Sequence, residues 1–430
     1  MFQTPIKDVE PYALRAGLPG KVSTYFEIAS LDPALKGGAF GKRSGKTTWI
    51  FETVPRKGDV IKASGGEAFK RCFQCGLCDV VCPWNKVRSF SMRRIVREAG
   101  FGLTEIESED IWLCTTCGKC PQQCPRDVKQ IESGVALRRI ATEYGVFPKS
   151  VTSIRTVSGS LIGEGNPLGE ERAKRAAWTE GLQVPSFEEG MDVLYFPGCY
   201  LSYDPRLKKV AQATARILNQ AGVAFGILGT KENCCGESIR KTGDEALFRR
   251  LAKENIKTFI DQGVKKILVS SPHCYHTFKN EYPEFMVHFE VVHITQYLLE
   301  LIRDKKLILK NGYEKNVTYH DPCYLGRHNG IYDEPREMLN RVSGIHFKEM
   351  QETRSESLCC GGGGGRIWME TPKGERFSDL RLKEAMAMGA DVLVTSCPYC
   401  IANFEDSRLT MNAAEQIEIK DITEIIQEFI

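Results

Sequence analysis

The sequence lacks any long apolar run: within its 430 residues no stretch approaches the roughly 18 to 20 consecutive apolar residues that a membrane-spanning helix requires. Its start, MFQTPIKDVEPYALRAG, lacks the charged and then apolar order of a secretion signal. Excess charge is missing too, because the formal net charge is +3 and Lys and Arg form no long run, so we expect no nucleic-acid partner. These absences predict a cytoplasmic protein without a membrane span of its own.

Nucleotide-binding signatures are also missing. The five glycines at 361–365 do not have the G-x-G-x-x-G spacing between a strand and a helix. The segment GKRSGKTT at 41–48 has Phe40 where a phosphate-binding loop requires glycine. No flavin or nicotinamide fingerprint is present. Any electrons that this chain uses must therefore arrive on another chain.

Cysteine, in contrast, is abundant. The sequence has 17 cysteines, and this odd number without an export signal argues against a disulfide framework, which belongs to short secreted chains. Metal ligation is the better explanation, because almost every cysteine belongs to a spaced motif. The cysteines lie at positions 72, 75, 78, 82, 114, 117, 120, 124, 199, 234, 235, 274, 323, 359, 360, 397 and 400.

The first eight cysteines form two copies of C-x2-C-x2-C-x3-C-P, the spacing of bacterial two-cluster ferredoxins. In that spacing the fourth thiolate of each run binds the other cluster. By analogy we expect one [4Fe-4S] cluster on Cys72, Cys75, Cys78 and Cys124, and another on Cys114, Cys117, Cys120 and Cys82. Structural zinc is the alternative, but zinc sites need two separated pairs of ligands rather than a tight group of four twice.

From residue 191 onward the chain repeats itself at an offset of about 125 residues. The cysteines of the two units fall in the same order, each with a CCG triplet. The matched segments are YFPGCYL (195–201) with YHDPCYL (319–325), NCCG (233–236) with LCCG (358–361), ILVSSPHCYHTF (267–278) with VLVTSCPYCIANF (392–404), and HITQYLLEL (293–301) with DITEIIQEF (421–429). The second half is therefore a duplicated unit.

Each unit alternates short apolar runs with helix-spaced segments, as at 206–222 and 244–263, which both end in glycine. This pattern predicts α/β lobes with parallel strands and with cysteines at the carboxyl ends of those strands. The expected architecture is therefore two repeated α/β CCG lobes with parallel strands plus a small α-helical ferredoxin-like domain. We expect an extended N-terminal segment (1–66), the ferredoxin-like domain (67–146), a linker (147–190), a first CCG lobe (191–310) and a second CCG lobe (311–430).

Two ferredoxin-type runs followed by two CCG units resemble the heterodisulfide reductase D type of iron-sulfur oxidoreductase, in effect a fusion of its C-type and B-type subunits. The segment IWLCTTCGKCPQQCPRDVK (111–129) is especially similar to the C-type subunit, and the resemblance spans 70–430. It implies that a complete CCG unit holds a non-cubane [4Fe-4S] cluster at which a disulfide is cleaved. The complete unit is the second, whose candidate catalytic and cluster-binding residues are Cys323, Cys359, Cys360, Cys397 and Cys400.

The first unit departs from this pattern, because Ser271 stands where the second unit has Cys397. The remaining candidate metal ligands are Cys199, Cys234, Cys235 and Cys274. Four thiolates can hold an iron-sulfur cluster or zinc, and Ser271 or His273 can add a ligand. An empty structural lobe is the third possibility.

Other residues near the second set are weaker candidates. His320, next to the sequence Asp321-Pro-Cys323, is the histidine best placed to deliver a proton to a leaving thiolate, since its expected pKa lies near neutral pH. A hydrogen-bonded structural histidine is the alternative. The glycines at 361–365 are expected to let the backbone approach the cluster and to leave room for a bulky substrate. The remaining pocket candidates are Asp321, Tyr324, His328 and Arg366.

The resemblance implies that two cubane clusters relay electrons from a partner to the non-cubane cluster, which reduces a disulfide or oxidises thiols. The expected donor is a membrane b-type haem protein or a soluble flavoprotein in a hetero-oligomeric complex, with the chain peripherally attached to the membrane through it. Exposed clusters are labile, which suggests an anaerobe. The alternative is a non-catalytic iron-sulfur subunit that carries electrons to a quinone from a flavoprotein oxidising a 2-hydroxyacid such as glycolate or lactate. A zinc-bound scaffold is a third class.

Overall fold

A computed structural model describes residues 60–101, 106, 108–310 and 314–430, together with the backbone of two antiparallel strands, β1 (Phe40–Arg43) and β2 (Trp49–Glu52). Most of the predicted extended segment 1–66 lies outside the described residues. Within its described part, Lys62–Gly66 forms a π-helical turn rather than an extended chain, and this turn packs against the helix Gln130–Glu143.

The ferredoxin-like part is helical, as predicted. Its helices are α1 (Leu77–Val80), α2 (Met92–Phe101), α3 (Asp110–Leu113), α4 (Lys119–Gln122) and α5 (Gln130–Glu143). The buried residues of α2 follow helical spacing: Met92, Ile95, Val96 and Ala99. They pack with Trp84 and Trp112 into one apolar core.

The segment predicted as a linker, 147–190, is ordered and packs against the first lobe. It contains α6 (Ser153–Glu164) and a 3-10 helix at Arg172–Thr179. Val157 and Leu161 of α6 belong to the apolar core of the first lobe. Arg175 in this 3-10 helix is fully buried. The segment therefore forms part of the packed protein.

The first lobe is a four-stranded parallel sheet in the order β4-β3-β5-β6. Its strands are β3 (Val193–Phe196), β4 (Phe225–Gly226), β5 (Lys266–Val269) and β6 (Glu290–His293). Its helices are α7 (Gly198–Tyr203), α8 (Lys208–Gln220), α9 (Glu237–Lys241), α10 (Glu245–Asp261), α11 (Pro272–His276) and α12 (Ile294–Arg303). After α8 and α10, Gly222 and Gly263 have φ of 67° and 66°, so the predicted glycine ends are confirmed.

The second lobe repeats this topology in the order β8-β7-β9-β10, again fully parallel. Its strands are β7 (Lys315–Tyr319), β8 (Ile345–Phe347), β9 (Val392–Thr395) and β10 (Glu418–Asp421). Its helices are α13 (Asp333–Asn340), α14 (Phe377–Ala387), α15 (Pro398–Thr410) and α16 (Ile422–Glu428). The predicted α/β repeat with parallel strands is confirmed.

The repeat extends to the way in which the last helix of each lobe begins. His293 caps α12 by accepting a hydrogen bond from the Thr295 backbone N–H, and Asp421 caps α16 by accepting one from Thr423. In each lobe the second strand lies on one side of the first strand, and the third strand lies on its other side. The order of the strands therefore switches between the first and the third strand. Ligands bind at such switch points, and the single cysteine and the last cysteine motif of each unit follow these two strands.

The three parts meet around one buried guanidinium, that of Arg138 on α5. It donates hydrogen bonds to the carbonyl oxygens of Ile111 and Cys114 in its own domain, at 2.7 Å each. It also donates to Lys241 of the first lobe at 3.0 Å and to Gly364 of the second lobe at 2.8 Å. One charged side chain therefore satisfies backbone acceptors from all three parts.

Replacing this guanidinium with an apolar chain should be strongly destabilising. Arg138→Met leaves four carbonyl groups without their donor, and we expect a loss of about 3 to 5 kcal/mol in the free energy of unfolding. Denaturant unfolding followed by tryptophan fluorescence measures it, since the Arg138 guanidinium lies 5.5 Å from the Trp112 ring centroid. Arg216→Met, at an exposed position on α8, is the control and should stay within about 0.5 kcal/mol of the parent chain. Equal losses in the two variants would contradict this role.

Candidate metal centres

The two cysteine runs of the helical domain have the same local backbone. The second residue after the first cysteine of each run has a positive φ, 68° at Gln74 and 51° at Thr116. The glycine after the second cysteine of each run also has a positive φ, 86° at Gly76 and 81° at Gly118. Gly76 directly precedes α1, and Gly118 directly precedes α4. Glycine tolerates this left-handed conformation without steric cost. The paired reversals curl each loop around its cysteines.

The two loops also lie against each other, because α1 contacts α4. Burial, and then the proximity of Cys117 and Cys114, raises the pKa of Cys82. Cys82 of the first run is thus a neighbour of the second, as a crossed-over fourth ligand requires. Cys124 accepts a hydrogen bond from the Val128 backbone N–H at 3.5 Å. The two ligand sets remain predictions.

The two runs each have one buried cysteine, Cys78 and Cys117, and differ in exposure mainly at Cys75. Cys75 of the first run is exposed to solvent. Cys117 of the second run is buried, and its thiol hydrogen-bonds Cys359 of the second CCG lobe. The second run therefore lies directly against the second lobe, while the first run has a cysteine at the surface.

In the second lobe, all five predicted cysteines are buried and form one continuous set of contacts. The Sγ atoms of Cys360 and Cys400 are 3.3 Å apart. Cys359 contacts both Cys323 and Cys360, and Cys397 contacts Cys400. Cys323 follows β7 and the pair at 397 and 400 follows the adjacent strand β9, which is why residues distant in sequence meet here.

His320 lies beside this set, since one ligand atom from each of His320, Cys360 and Cys400 fall within 4.8 Å of one another. Its Nδ1 accepts from Arg381 Nε at 3.4 Å, and its Nε2 has no hydrogen-bond partner among the described residues. Burial, and then the charge of Arg381, holds the pKa of His320 well below its usual range. The expectation of a near-neutral pKa is therefore wrong. A neutral His320 with its proton on Nε2 can donate a hydrogen bond but is not a ready acid.

A positive charge that the sequence reasoning missed lies between the second run and the second lobe. The Arg327 guanidinium is buried, and its Nε donates to the Cys117 carbonyl at 2.7 Å. Burial opposes its charge, but the nearby thiols of Cys117, Cys323 and Cys359 outweigh this and raise its pKa. The feature of the sequence that could have pointed to Arg327 was its position four residues after Cys323. This cation offsets negative charge where the two sets of thiols meet.

The glycine run at 361–365 has a use beyond the expected one. The Gly361 N–H does donate to Cys359 Sγ at 3.3 Å, as expected. A Cβ on Gly363 would lie 2.4 Å from the Thr115 carbonyl oxygen, and one on Gly364 would lie 2.5 Å from the Cys114 carbonyl oxygen. Gly363 and Gly364 therefore make room for the second cysteine loop of the helical domain.

The four cysteines of the first lobe also form one chain of contacts: Cys199 with Cys234, Cys234 with Cys235, and Cys235 with Cys274. Arg175 lies beside them, with its Nη1 3.8 Å from Cys199 Sγ. The Arg175 Nε donates to Glu232 Oε2 at 3.1 Å, and both side chains are 1% exposed. Sequence reasoning missed Arg175, because nothing in the cysteine-free segment 147–190 marks it.

Ser271 and His273 have separate positions. Ser271 is buried at the start of α11. His273 is buried as well, but it contacts Glu237 of its own lobe and Cys397 of the second lobe. Burial opposes its protonation, yet the carboxylate of Glu237 and the contact with Cys397 outweigh burial and raise the pKa of His273 to about 10. The histidine proposed as an extra first-lobe ligand thus faces the second-lobe thiols.

The weaker pocket candidates are mostly structural. Asp321 forms a buried two-point ion pair with Arg336, at 2.7 and 2.9 Å. The Tyr324 hydroxyl lies 2.8 Å from Thr116 Oγ1 of the helical domain. His328 Nε2 lies 2.8 Å from the Thr116 carbonyl oxygen. Arg366 donates to the Glu370 carbonyl at 2.9 Å. Each of these side chains is held by partners within the protein.

Two surface cavities of about 380 and 600 Å³ lie elsewhere, and neither is lined by a cysteine. The helices of the described residues include none that is both apolar enough and long enough to span a lipid bilayer.

The donor set fits iron-sulfur clusters. All seventeen cysteines are free thiols, gathered into the groups described above. Backbone and side-chain N–H groups already point at several sulfurs, including Thr116 to Cys114 at 3.4 Å and Gln74 to Cys72 at 3.2 Å. Such N–H···S contacts are a feature of cluster ligands, whose potential they tune.

Family models match three parts of the chain. The model for a 4Fe-4S dicluster domain matches residues 68–128. The model for a cysteine-rich CCG domain matches twice, at 193–279 and 317–405. The dicluster match covers both cysteine runs, and each CCG match covers one complete set of lobe cysteines.

Several curated proteins are similar to this chain. The probable iron-sulfur-binding oxidoreductase FadF of Bacillus subtilis is 37% identical over 75% of this chain and 47% of its own length. The EtfAB:quinone oxidoreductase of Syntrophomonas wolfei is 36% identical over 75% of this chain and 46% of its own. The chain spans about half the length of these two relatives. The D-type polypeptide of the dihydromethanophenazine:CoB--CoM heterodisulfide reductase of Methanosarcina barkeri is 33% identical over 83% of this chain and 93% of its own.

The glycine contact between the second lobe and the helical domain can be tested with a matched pair. Gly364 and Gly374 both have positive φ, 62° and 88°, but a Cβ on Gly374 would meet nothing within 4 Å. We expect Gly374→Ala to lose about 1 kcal/mol of unfolding free energy from backbone strain alone. Gly364→Ala should lose about 1 to 3 kcal/mol more, because its Cβ collides with the Cys114 carbonyl. Denaturant unfolding measures both, and equal losses would rule out the close approach.

Proposed function

The chain belongs to the D-type heterodisulfide reductase family of iron-sulfur oxidoreductases, and from this premise we propose that it reduces a disulfide at the five cysteines of the second CCG lobe. The observation that carries the proposal is the contact of Cys117 with Cys359. It joins the ferredoxin-type thiols directly to the five-cysteine set, as an electron relay that ends at a reactive centre would require.

The proposed cofactors are two cubane [4Fe-4S] clusters and one non-cubane [4Fe-4S] cluster. The cubanes are assigned to the crossed-over sets, one on Cys72, Cys75, Cys78 and Cys124, and one on Cys114, Cys117, Cys120 and Cys82. The non-cubane cluster is assigned to Cys323, Cys359, Cys360, Cys397 and Cys400. When bound, these clusters supply one-electron transfer and, in the second lobe, iron that a sulfur ligand can reach. Reducing a disulfide consumes two electrons and two protons and yields two thiols.

The chain's own residues prepare the second lobe for this chemistry. Arg327 places positive charge beside Cys117, Cys323 and Cys359, which favours their ionised form, and Arg381 donates to His320. The Gly361 N–H donates to Cys359, and the Nε2 of the neutral His320, which has no partner in the part of the chain that the structure describes, lies next to Cys360 and Cys400. His320 is therefore proposed as a hydrogen-bond donor at the site rather than as the acid that the sequence suggested.

The first lobe is proposed to hold metal as well. Its four buried thiols already contact one another, and the buried guanidinium of Arg175 lies 3.8 Å from Cys199 Sγ. A buried cation beside a group of thiols compensates the charge of thiolates, and this favours an occupied lobe over an empty one. Both an iron-sulfur cluster and zinc suit four thiolates.

Electrons are proposed to enter at the first cysteine run, where Cys75 is exposed. The surrounding apolar side chains are exposed too: Phe73 at 58%, Leu77 at 42% and Val80 at 80%. Exposed apolar side chains grouped in this way mark a contact surface. Lys70 and Arg126, two residues from Cys72 and Cys124, are also exposed and suit an acidic partner. A soluble flavoprotein or a membrane b-type haem protein is the proposed donor, and the latter would hold the chain at a membrane surface.

A second candidate is electron transfer without catalysis, from a flavoprotein to a quinone. Two observations favour it. The five second-lobe cysteines are all buried, and one similar protein is named as an EtfAB:quinone oxidoreductase. In this function the second lobe passes electrons onward and never binds a disulfide.

The disulfide proposal predicts the behaviour of Cys360→Ser in anaerobically purified protein. With viologen radical as reductant, the parent chain should cleave a disulfide such as that of coenzyme M with coenzyme B, counted as thiols released. Cys360→Ser should abolish cleavage and lower the iron content by about one cluster, while the EPR signals of the cubanes remain. Arg216→Ser, at an exposed position on α8, is the control and should retain both cleavage and iron content.

Failure of the parent chain to release thiols from any disulfide, with full iron content and with quinone reduction through a flavoprotein donor, would instead favour the electron-transfer function. Zinc in place of iron by elemental analysis would refute both.

The entry surface generates a separate prediction. Val80→Glu places a negative charge beside the first cysteine run, and we expect reduction of the clusters by flavodoxin hydroquinone, an acidic flavoprotein, to slow roughly three- to tenfold. Reduction by the small viologen radical should not change. Ile260→Glu, at a position 58% exposed on α10 of the first lobe, is the control. Stopped-flow bleaching of the cluster absorbance measures the rates, and an equal effect of the two substitutions would contradict entry at this surface.

A further inference from the structure

Three differences between the two CCG units fall at matched positions of their cysteine motifs. The pairs, first unit against second, are Glu237 with Gly362, Ser271 with Cys397, and His273 with Tyr399. The first unit has thus lost one thiol and gained a carboxylate and an imidazole. The gained pair is in contact: His273 Nδ1 lies 3.2 Å from Glu237 Oε2.

The His273 ring is fixed on both faces. It stacks on Tyr324, with centroids 4.1 Å apart, and packs on its own counterpart Tyr399, with centroids 4.3 Å apart. The Ser238 hydroxyl in turn lies 2.7 Å from the Tyr399 hydroxyl. Both tyrosines belong to the second lobe. The first lobe therefore inserts an imidazole into an aromatic stack of the second lobe, where it has little freedom to turn.

The ring reaches a thiol at its other edge. The side chains of His273 and Cys397 are neighbours, and because Nδ1 lies 3.2 Å from Glu237 Oε2, Nε2 is the nitrogen available to donate to the Cys397 sulfur. Cys397 is the residue whose counterpart the first lobe lacks. A carboxylate, an imidazole and a thiol in line form the arrangement by which proteins orient and tune a metal ligand through a second partner.

We propose that His273, oriented by Glu237, is a positioning residue of the first lobe that donates an N–H hydrogen bond to Cys397 and thereby raises the reduction potential of the second-lobe cluster. This rests on the proposed function, in which Cys397 is a ligand of that cluster. The sign follows from electrostatics, because an N–H donor stabilises the reduced cluster, which carries more negative charge, over the oxidised one. The first lobe thus contributes to the second site, whatever its own thiols hold.

The alternative is that His273 and Glu237 are only a buried ion pair that joins the lobes. Removing one member of such a pair is costly, since it leaves a charge buried alone. The test therefore needs a variant that removes both charges, and a measured quantity that stability does not affect. The midpoint potential of the second-lobe cluster, from an EPR-monitored redox titration, meets the second need.

The experiment uses the full chain, purified without air. His273→Phe keeps a ring in the stack and removes the donor, and His273→Phe with Glu237→Gln also removes the lone carboxylate. Both should shift the midpoint potential of the second-lobe cluster to a more negative value, with iron content and the cubane potentials unchanged. His273→Gln, whose amide N–H can replace the donor, should restore part of the shift. His276→Phe is the control, because His276 packs on the same Tyr324 ring but forms no contact with Cys397 among the described residues.

An unchanged potential in the single and double variants, with full iron content, would overturn this inference and leave the proposed function standing. So would an equal shift in His276→Phe, or a loss of second-lobe iron that follows a lowered melting temperature, because either result assigns a structural role. Absence of a second-lobe cluster signal from the parent chain would overturn the proposed function, and this inference with it.

Discussion

The contact on which the rest of this architecture depends is that between the second cysteine loop of the helical domain and the glycine run after the second CCG triplet. Two backbones touch there without side chains between them, and the Arg138 guanidinium donates to a carbonyl of each, Cys114 and Gly364. This close approach brings Cys117 onto Cys359. Electron tunnelling falls steeply with distance, so a relay function requires such an approach, and a side chain at Gly363 or Gly364 would push the two sites apart.

The two lobes have the same fold but different sets of candidate ligand residues. Strand order, sheet direction and the caps of the last helices are the same in both. The two lobes differ in their candidate ligands, which follow the carboxyl ends of the strands, where parallel sheets bind ligands. There the second lobe has five thiols, while the first has four thiols, with Arg175 beside Cys199 and His273 turned toward its neighbour. Retaining both lobes makes sense if each contributes to one shared site.

Much of this could be predicted from the sequence, because cysteine spacing and repeat order are local or periodic signals. The helix ends at Gly222 and Gly263 and the parallel repeat are examples of correct predictions. What the sequence could not provide was the placement of charges between distant segments. Arg138, Arg175 and Arg327 carry no motif, and each acts on a part of the chain far from its own position in sequence. The low pKa of His320 follows from burial beside Arg381, which no local pattern reveals. The Glu237 and His273 pair was visible only as two differences between the repeats.

The gradient of exposure along the thiols, from Cys75 at the surface to Cys397 and Cys400 in the interior, has a chemical consequence of its own. Dioxygen and peroxide diffuse from solvent, and susceptible sulfur is attacked in the order in which it is reached. Damage in air should therefore begin at the outermost centre and cut the supply of electrons while the interior is still intact. A chain inactivated in this way would lose electron transfer before its most deeply buried centre was damaged. Reassembly of one peripheral centre would then be enough to restore electron transfer.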